Sequence, residues 1–286
     1  MIHTSKQLKD KVRNISKGNN DIAKVLIRTF MMERFLERVS LSKYKNNFIL
    51  KGGMLVASMV GVDMRATMDI DATVKALSLN VEDTEKIISE ICNIPVDDGV
   101  HFKIISITKI MEDFDYPGIR MTFEANLERM RQPFKLDIST DDVITPAAVR
   151  YKYKLMFEDR MISLLSYNRE TLLAEKIQTI LSRGIANTRM RDFYDIYSIF
   201  NLDEKIIDKK ILLEAFYATC NKRETIFQSS EIKDMLAKIN QDDAIAQLWE
   251  QFKNKNFFVG DLQWNIVLEA VTNMINTYIV EELEKD

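Results

Sequence analysis

Apolar residues recur every three to four positions over long stretches of this chain and every second position over others. The first period opens at Thr4 or Ser5, either of which can cap a short helix. It returns at Asn20, which can cap a longer helix with Ile22, Val25, Leu26, Phe30, Met31 and Phe35 on one face. A β-prone run over residues 47–51 follows, then Gly52-Gly53, and Met54 to Val60 reads as the start of a helix. Residues 68–76 read as a strand and 80–92 as an amphipathic helix. Residues 102–110, 119–127 and 133–140 read as successive strands, joined by turn signals such as Asp115-Tyr116-Pro117-Gly118. Residues 151–166 are ambiguous, with two short strands around Glu158-Asp159-Arg160 as one reading.

From Asn168 onward the pattern predicts helices over 168–182, 190–200, 208–220, 229–239, 241–252 and 262–284. Proline and glycine placement agrees. All four prolines lie between Pro95 and Pro146, and only Gly184 and Gly260 follow them. The expected fold class is α+β: a mixed sheet with flanking and N-terminal helices over residues 1–166, then a helical lobe over 167–286.

Composition narrows the chemistry. The 286 residues can bury a real core, and 46% hydrophobic with 29% charged residues is ordinary for a globular protein. The net charge is only −3, so any nucleic-acid contact must come from a local basic patch. Cys92 and Cys220 lie far apart without metal-ligand spacing, which points to a reducing cytoplasm and no disulfide framework. His3 and His101 are the only histidines, which comes close to excluding a zinc site or a Ser-His-Asp triad. The first residues do not read as a signal peptide, and no apolar run approaches the roughly 20 residues of a membrane span. The expected location is cytoplasmic, with no membrane partner.

The chemistry-bearing stretch is Lys51-Gly52-Gly53 followed by Arg65-Ala66-Thr67-Met68-Asp69-Ile70-Asp71. In a strand, Asp69 and Asp71 point to one face, and Met68, Ile70 and Ala72 to the other. Two adjacent carboxylates repel unless a cation lies between them, and hard divalent ions prefer such oxygen ligands. A double glycine at a helix start lets backbone amides approach a phosphate. A third acid on a neighbouring strand would complete a metal site. Asp137 in Phe134-Lys135-Leu136-Asp137-Ile138-Ser139 fits, although that segment alone fits an exposed acid equally well. Lys176 lies within the apolar stripe Leu172, Leu173, Ile177, Ile180 and Leu181, where a lysine either snorkels to solvent or has a task.

These blocks in order, with Leu172-Leu173-Ala174-Glu175-Lys176 and Arg189-Met190-Arg191-Asp192-Phe193-Tyr194-Asp195, resemble the AbiEii/AbiGii-type abortive-infection toxins. That family lies in the polymerase-β-like (minimal) nucleotidyltransferase superfamily. The resemblance covers roughly residues 20–200. It departs from the wider superfamily at Gly53, where Gly-Ser is usual, and in the long gap between Gly53 and Asp69.

The resemblance implies a polymerase-β-like core followed by a helical C-terminal domain that completes the active site. It implies catalytic roles for Asp69, Asp71, Lys176 and Asp192, and Mg²⁺ or Mn²⁺ held by Asp69, Asp71 and Asp137. NTP contacts are implied for Lys51, Gly52, Gly53, Arg65, Thr67 and Lys176, with Arg65 otherwise bracing Asp69. The implied function is the toxin of a type IV toxin–antitoxin phage-defence system. Its cognate antitoxin would be a repressor encoded nearby that need not bind it. The acceptor is expected to be tRNA or another RNA. Protein or small-molecule acceptors, or a non-catalytic nucleotide-binding regulator, are the alternatives. Arg150, Lys152 and Lys154, alternating with Tyr151 and Tyr153, fit an RNA-backbone contact or a solvated edge strand alike.

Overall fold

The structure is a computed structural model and describes residues 1–61, 65–77, 80–111, 117–202 and 207–285. Asp115 and Tyr116 of the expected turn lie outside the described residues. The chain forms two compact units. One comprises Met1–Ser58, Ala66–Asp142 and Ala148–Ser166, and the other Met59–Arg65, Val143–Ala147 and Tyr167–Asp286.

The first unit is a mixed seven-stranded sheet with helices α1 (Ser5–Ser16), α2 (Asn20–Leu41), the start of α3 (Gly52–Val60) and α4 (Val81–Cys92). Its strands are β1 (Phe48–Lys51), β2 (Asp69–Val74), β3 (Val100–Met111), β4 (Pro117–Leu127), β5 (Met130–Thr140), β6 (Val149–Lys154) and β7 (Met161–Ser166). They are ordered β3-β4-β5-β2-β1-β7-β6. β2–β5 and β1–β7 pair in parallel, and the other neighbours antiparallel.

Thr4 closes α1 with a capping box to Gln7, and Asn19, one residue before the expected cap, accepts from the amides of Asp21 and Ile22. α3 begins at Gly52, ahead of the expected Met54. The ambiguous 151–166 stretch forms an antiparallel hairpin, because Tyr153, Ile162 and Leu164 bury on one face. Phe35 of α2 meets Phe102, Phe123 and Phe134 at centroid distances of 5.6–6.1 Å, and Phe123 stacks on Phe134 at 5.1 Å. This aromatic cluster packs α2 against β3–β5.

α2 also buries charge. Arg38 forks Asp98 at 2.7 and 2.9 Å, Arg34 meets Glu158 at 3.0 Å, and Arg160 meets Glu37 at 2.6 Å. Glu33 accepts from the Met156 amide at 3.1 Å and from the Tyr153 hydroxyl at 3.3 Å. Burial raises its carboxyl to about 8, against the Met156 amide and Arg34.

The second unit is helical: α5 (Arg169–Arg183), α6 (Met190–Leu202), α7 (Lys209–Lys222), α8 (Ser229–Gln241), α9 (Asp243–Lys255) and α10 (Trp264–Ile275). The helix expected over 262–284 runs in right-handed helical backbone from Trp264 to Leu283, with a π turn over Asn276–Val280 between α10 and the short α11 (Glu281–Leu283). Phe193, Tyr194, Trp249, Phe252, Phe258 and Trp264 form its aromatic core. No described helix is long and apolar enough to cross a membrane.

Candidate active site

β2 alternates as the sequence requires. Ile70 and Ala72 are buried, while Asp69 and Asp71 share the opposite face. Register sets Asp71 beside Lys51 of β1 on one side and Asp137 of β5 on the other. The three predicted carboxylates therefore belong to adjacent strands of one sheet. Burial raises the Asp71 carboxyl above its ordinary value. The Asp137 and Asp69 charges push the same way, against Lys51 and the Gly53 amide.

Gly52 and Gly53 carry β1 directly into α3. Gly52 has φ +62°, and an added Cβ would run into the Asp71 carboxylate, with the Asp71 Cγ at 2.7 Å. The Gly53 amide donates to Asp71 Oδ2 at 3.3 Å. The glycine pair is thus a close approach of backbone to acid at a helix start. Lys51 Nζ donates to Ser139 Oγ at 2.8 Å and pairs with Asp142. Thr67 is buried, and its hydroxyl donates to the Asp69 carbonyl at 3.1 Å, so it fixes the backbone that enters β2.

Asp137 differs from its two neighbours. Arg120 of β4 forks it at 2.8 and 2.6 Å. Among the described residues no three Asp, Glu, His or Cys side chains converge as a ready metal-ligand group. The donor chemistry nevertheless fits a hard divalent ion at Asp69 and Asp71. These are like-charged oxygen ligands on one face, one of them raised by burial and further by its carboxylate neighbours, and a cation there would relieve the repulsion.

The remaining predicted residues cluster in the helical unit. Lys176 of α5 donates to Asp192 Oδ1 at 2.9 Å and to Asp195 Oδ2 at 2.7 Å. Burial works against its charge, but the two carboxylates outweigh that and raise its pKa. Asp192 lies in the first turn of α6, 3.2 Å from Arg189 Nε. Arg65 has no exposed surface and forks Asp195 at 2.5 and 3.3 Å. Burial alone would raise the Asp195 carboxyl, yet Arg65 and Lys176 hold it at about 2. The unit therefore carries a buried, charge-balanced chain of Arg65, Asp195, Lys176 and Asp192. Lys176 uses two of its three donors in it.

Sequence reasoning missed Asp195, Arg120 and Asp142. Asp195 had a visible signal: it lies three residues after Asp192 on α6, whose face buries Phe193 and Ile196, and a second buried acid there demands a cation.

Three comparisons bear on this geometry. Residues 34–270 match the family described as "Nucleotidyl transferase AbiEii toxin, Type IV TA system". JHP933 from Helicobacter pylori has a similar structure, with TM-score 0.54 at 15% identity, covering 91% of this chain and 94% of that one. A candidate nucleotidyltransferase from H. pylori gives 0.53 at 15% identity, covering 91% and 96%. At such identity the two structures speak for the fold. No curated protein matches the chain.

Proposed function

The chain belongs to the AbiEii family of nucleotidyltransferase toxins of type IV toxin–antitoxin systems, and from that premise we propose Mg²⁺-dependent transfer of a nucleotide from an NTP to RNA, with tRNA as the first acceptor to test. The observation that carries this is the meeting of Gly52-Gly53 with Asp71 on the strand that also bears Asp69.

In this reading Asp69 and Asp71, with Asp137 beside them, would hold the divalent ion. The ion would supply positive charge to the α-phosphate and the leaving pyrophosphate. The start of α3 at Gly52 and Gly53 would offer backbone donors to phosphate oxygens, the Gly53 amide being shared with Asp71 Oδ2. Lys51, tied to Ser139 and Asp142, adds a cation whose position is fixed. Thr67 acts by holding the Asp69 backbone. In the helical unit Lys176 remains charged between two acids, and its third donor is proposed to meet the triphosphate. Arg65 has no exposed surface for phosphate, so its proposed task is to orient Asp195 and through it Lys176. Asp192 is proposed to position Lys176 and assist deprotonation of the acceptor hydroxyl.

The biological setting proposed is growth arrest in abortive phage defence, countered by a repressor-type antitoxin encoded nearby that need not bind the toxin. The test incubates the purified protein with labelled NTPs, Mg²⁺ and either tRNA or whole-cell protein. Label in tRNA, lost in Asp69→Asn with Asp71→Asn, supports the reading. Label confined to protein, or transfer by the double variant at the wild-type rate, overturns it.

A further inference from the structure

Along β3, β4 and β5 the sheet has two unlike faces. On one, Met121, Phe123 and Ala125 are buried. On the other, register sets Lys103 opposite Glu124, Asn126 opposite Arg131, and Thr122 between Ser106 and Lys135. Lys103, Ser106, Arg131 and Lys135 are exposed there. Among the described residues, an ion pair takes up Arg120 on this face but none takes up Lys103, Arg131 or Lys135.

β5 carries Arg131, Lys135 and Asp137 on this one face, at its period of two. At about 3.3 Å per residue, Arg131 lies roughly 20 Å and Lys135 roughly 7 Å along the strand from Asp137. A row of exposed cations, with hydroxyls, an amide and a single acid, Glu124, among them, therefore ends at the candidate metal acids. The chain as a whole is negative at −3, so this concentration of positive charge sets a direction for a polyanion.

We infer that this open face seats the backbone of the RNA acceptor. Lys103, Arg131 and Lys135 contact phosphates, Ser106, Thr122 and Asn126 meet 2′-hydroxyls, and the reacting end is directed toward Asp71 and Asp137. The inference rests on the reading of the acceptor as RNA. A membrane or a hydrophobic protein partner fits poorly, because among the described residues of these strands Ile105 at the β3 bulge is the exposed large apolar side chain.

The test measures binding of full-length protein to labelled tRNA over a salt series, together with steady-state transfer. Lys103→Gln with Arg131→Gln leaves Lys135 in place, since Lys135 neighbours Asp69 in the register. Removing two phosphate contacts should flatten the log K against log salt slope by about 1.5 to 2. The KM for tRNA should rise about tenfold, with kcat and the KM for NTP within twofold. Each single variant should give about half the slope change, and melting temperatures should match wild type because both side chains are exposed. A wild-type slope and KM in the double variant overturns this surface while leaving the acceptor reading intact. The same loss found instead in Lys152→Gln with Lys154→Gln on β6 also overturns it. Wild-type protein that neither binds nor labels tRNA overturns the acceptor reading, and this surface with it.

Discussion

Replacing Asp195 by asparagine removes the carboxylate from a side chain with no exposed surface and leaves the equally buried Arg65 guanidinium without its fork. Removing one partner of such a pair costs about 3–5 kcal/mol, because the other charge stays buried and uncompensated. The lowered carboxyl gives a second figure. Asp195 is held at about 2 instead of its usual 3.8, which corresponds to ~2.5 kcal/mol. A lowered carboxyl contributes stability that is complete above the usual value and lost as pH falls toward about 2. Asp195→Asn lacks that acid limb.

Both tryptophans, Trp249 and Trp264, lie in the helical unit, so tryptophan fluorescence in urea reports that unit selectively. With an m-value of about 2 kcal/mol per molar, a loss of about 3 kcal/mol lowers the midpoint by about 1.5 M. Arg65→Met with Asp195→Leu removes both charges and should recover most of the loss. A midpoint for Asp195→Asn within about 0.3 M of wild type would refute the buried pair. So would a double variant no more stable than Asp195→Asn.

Other expectations follow from the same physics. Gly52→Ala should abolish transfer and cost more than about 2 kcal/mol, since it meets both a positive φ and the Asp71 carboxylate. Gly18→Ala, at φ +86° with open space around it, should cost only about 1 kcal/mol and leave transfer intact. Glu33 is raised from 4.5 to about 8, so wild type should lose stability as pH rises between those values. Glu33→Gln should not, and parallel urea curves for the two proteins from pH 5 to 9 would contradict this. Added Mg²⁺ should raise the melting temperature of wild type but not of Asp69→Asn with Asp71→Asn, and equal shifts in both would count against that site.

Much of the fold was legible because its signals are local. The two-residue period of β2 set Asp69 and Asp71 on one face, and Gly52-Gly53 marked a point where only backbone fits. The 149–166 hairpin was obscured because its turn, Leu155 to Arg160, contains no Gly, Pro or Asn. The π turn at Asn276 was invisible because Val271, Ile275 and Ile279 continue the apolar stripe across it. Arg120 and Asp195 could not be assigned from sequence for another reason. Each is defined by a partner brought near by strand register or helix packing, with donor and acceptor 17 and 130 positions apart in the sequence.

The second unit takes in Met59–Arg65 and Val143–Ala147 as well as everything from Tyr167 onward, so the two bodies are interleaved along the polypeptide. A fragment cut at 166 would inherit Lys176, Asp192 and Asp195 without the guanidinium that balances them. Two acids and one lysine would then share an interior built for one more cation. Neither unit is therefore a transplantable cassette. Grafting the helical unit onto another catalytic sheet would require carrying its arginine-bearing insertion along, stitched in after the helix that Gly52 begins.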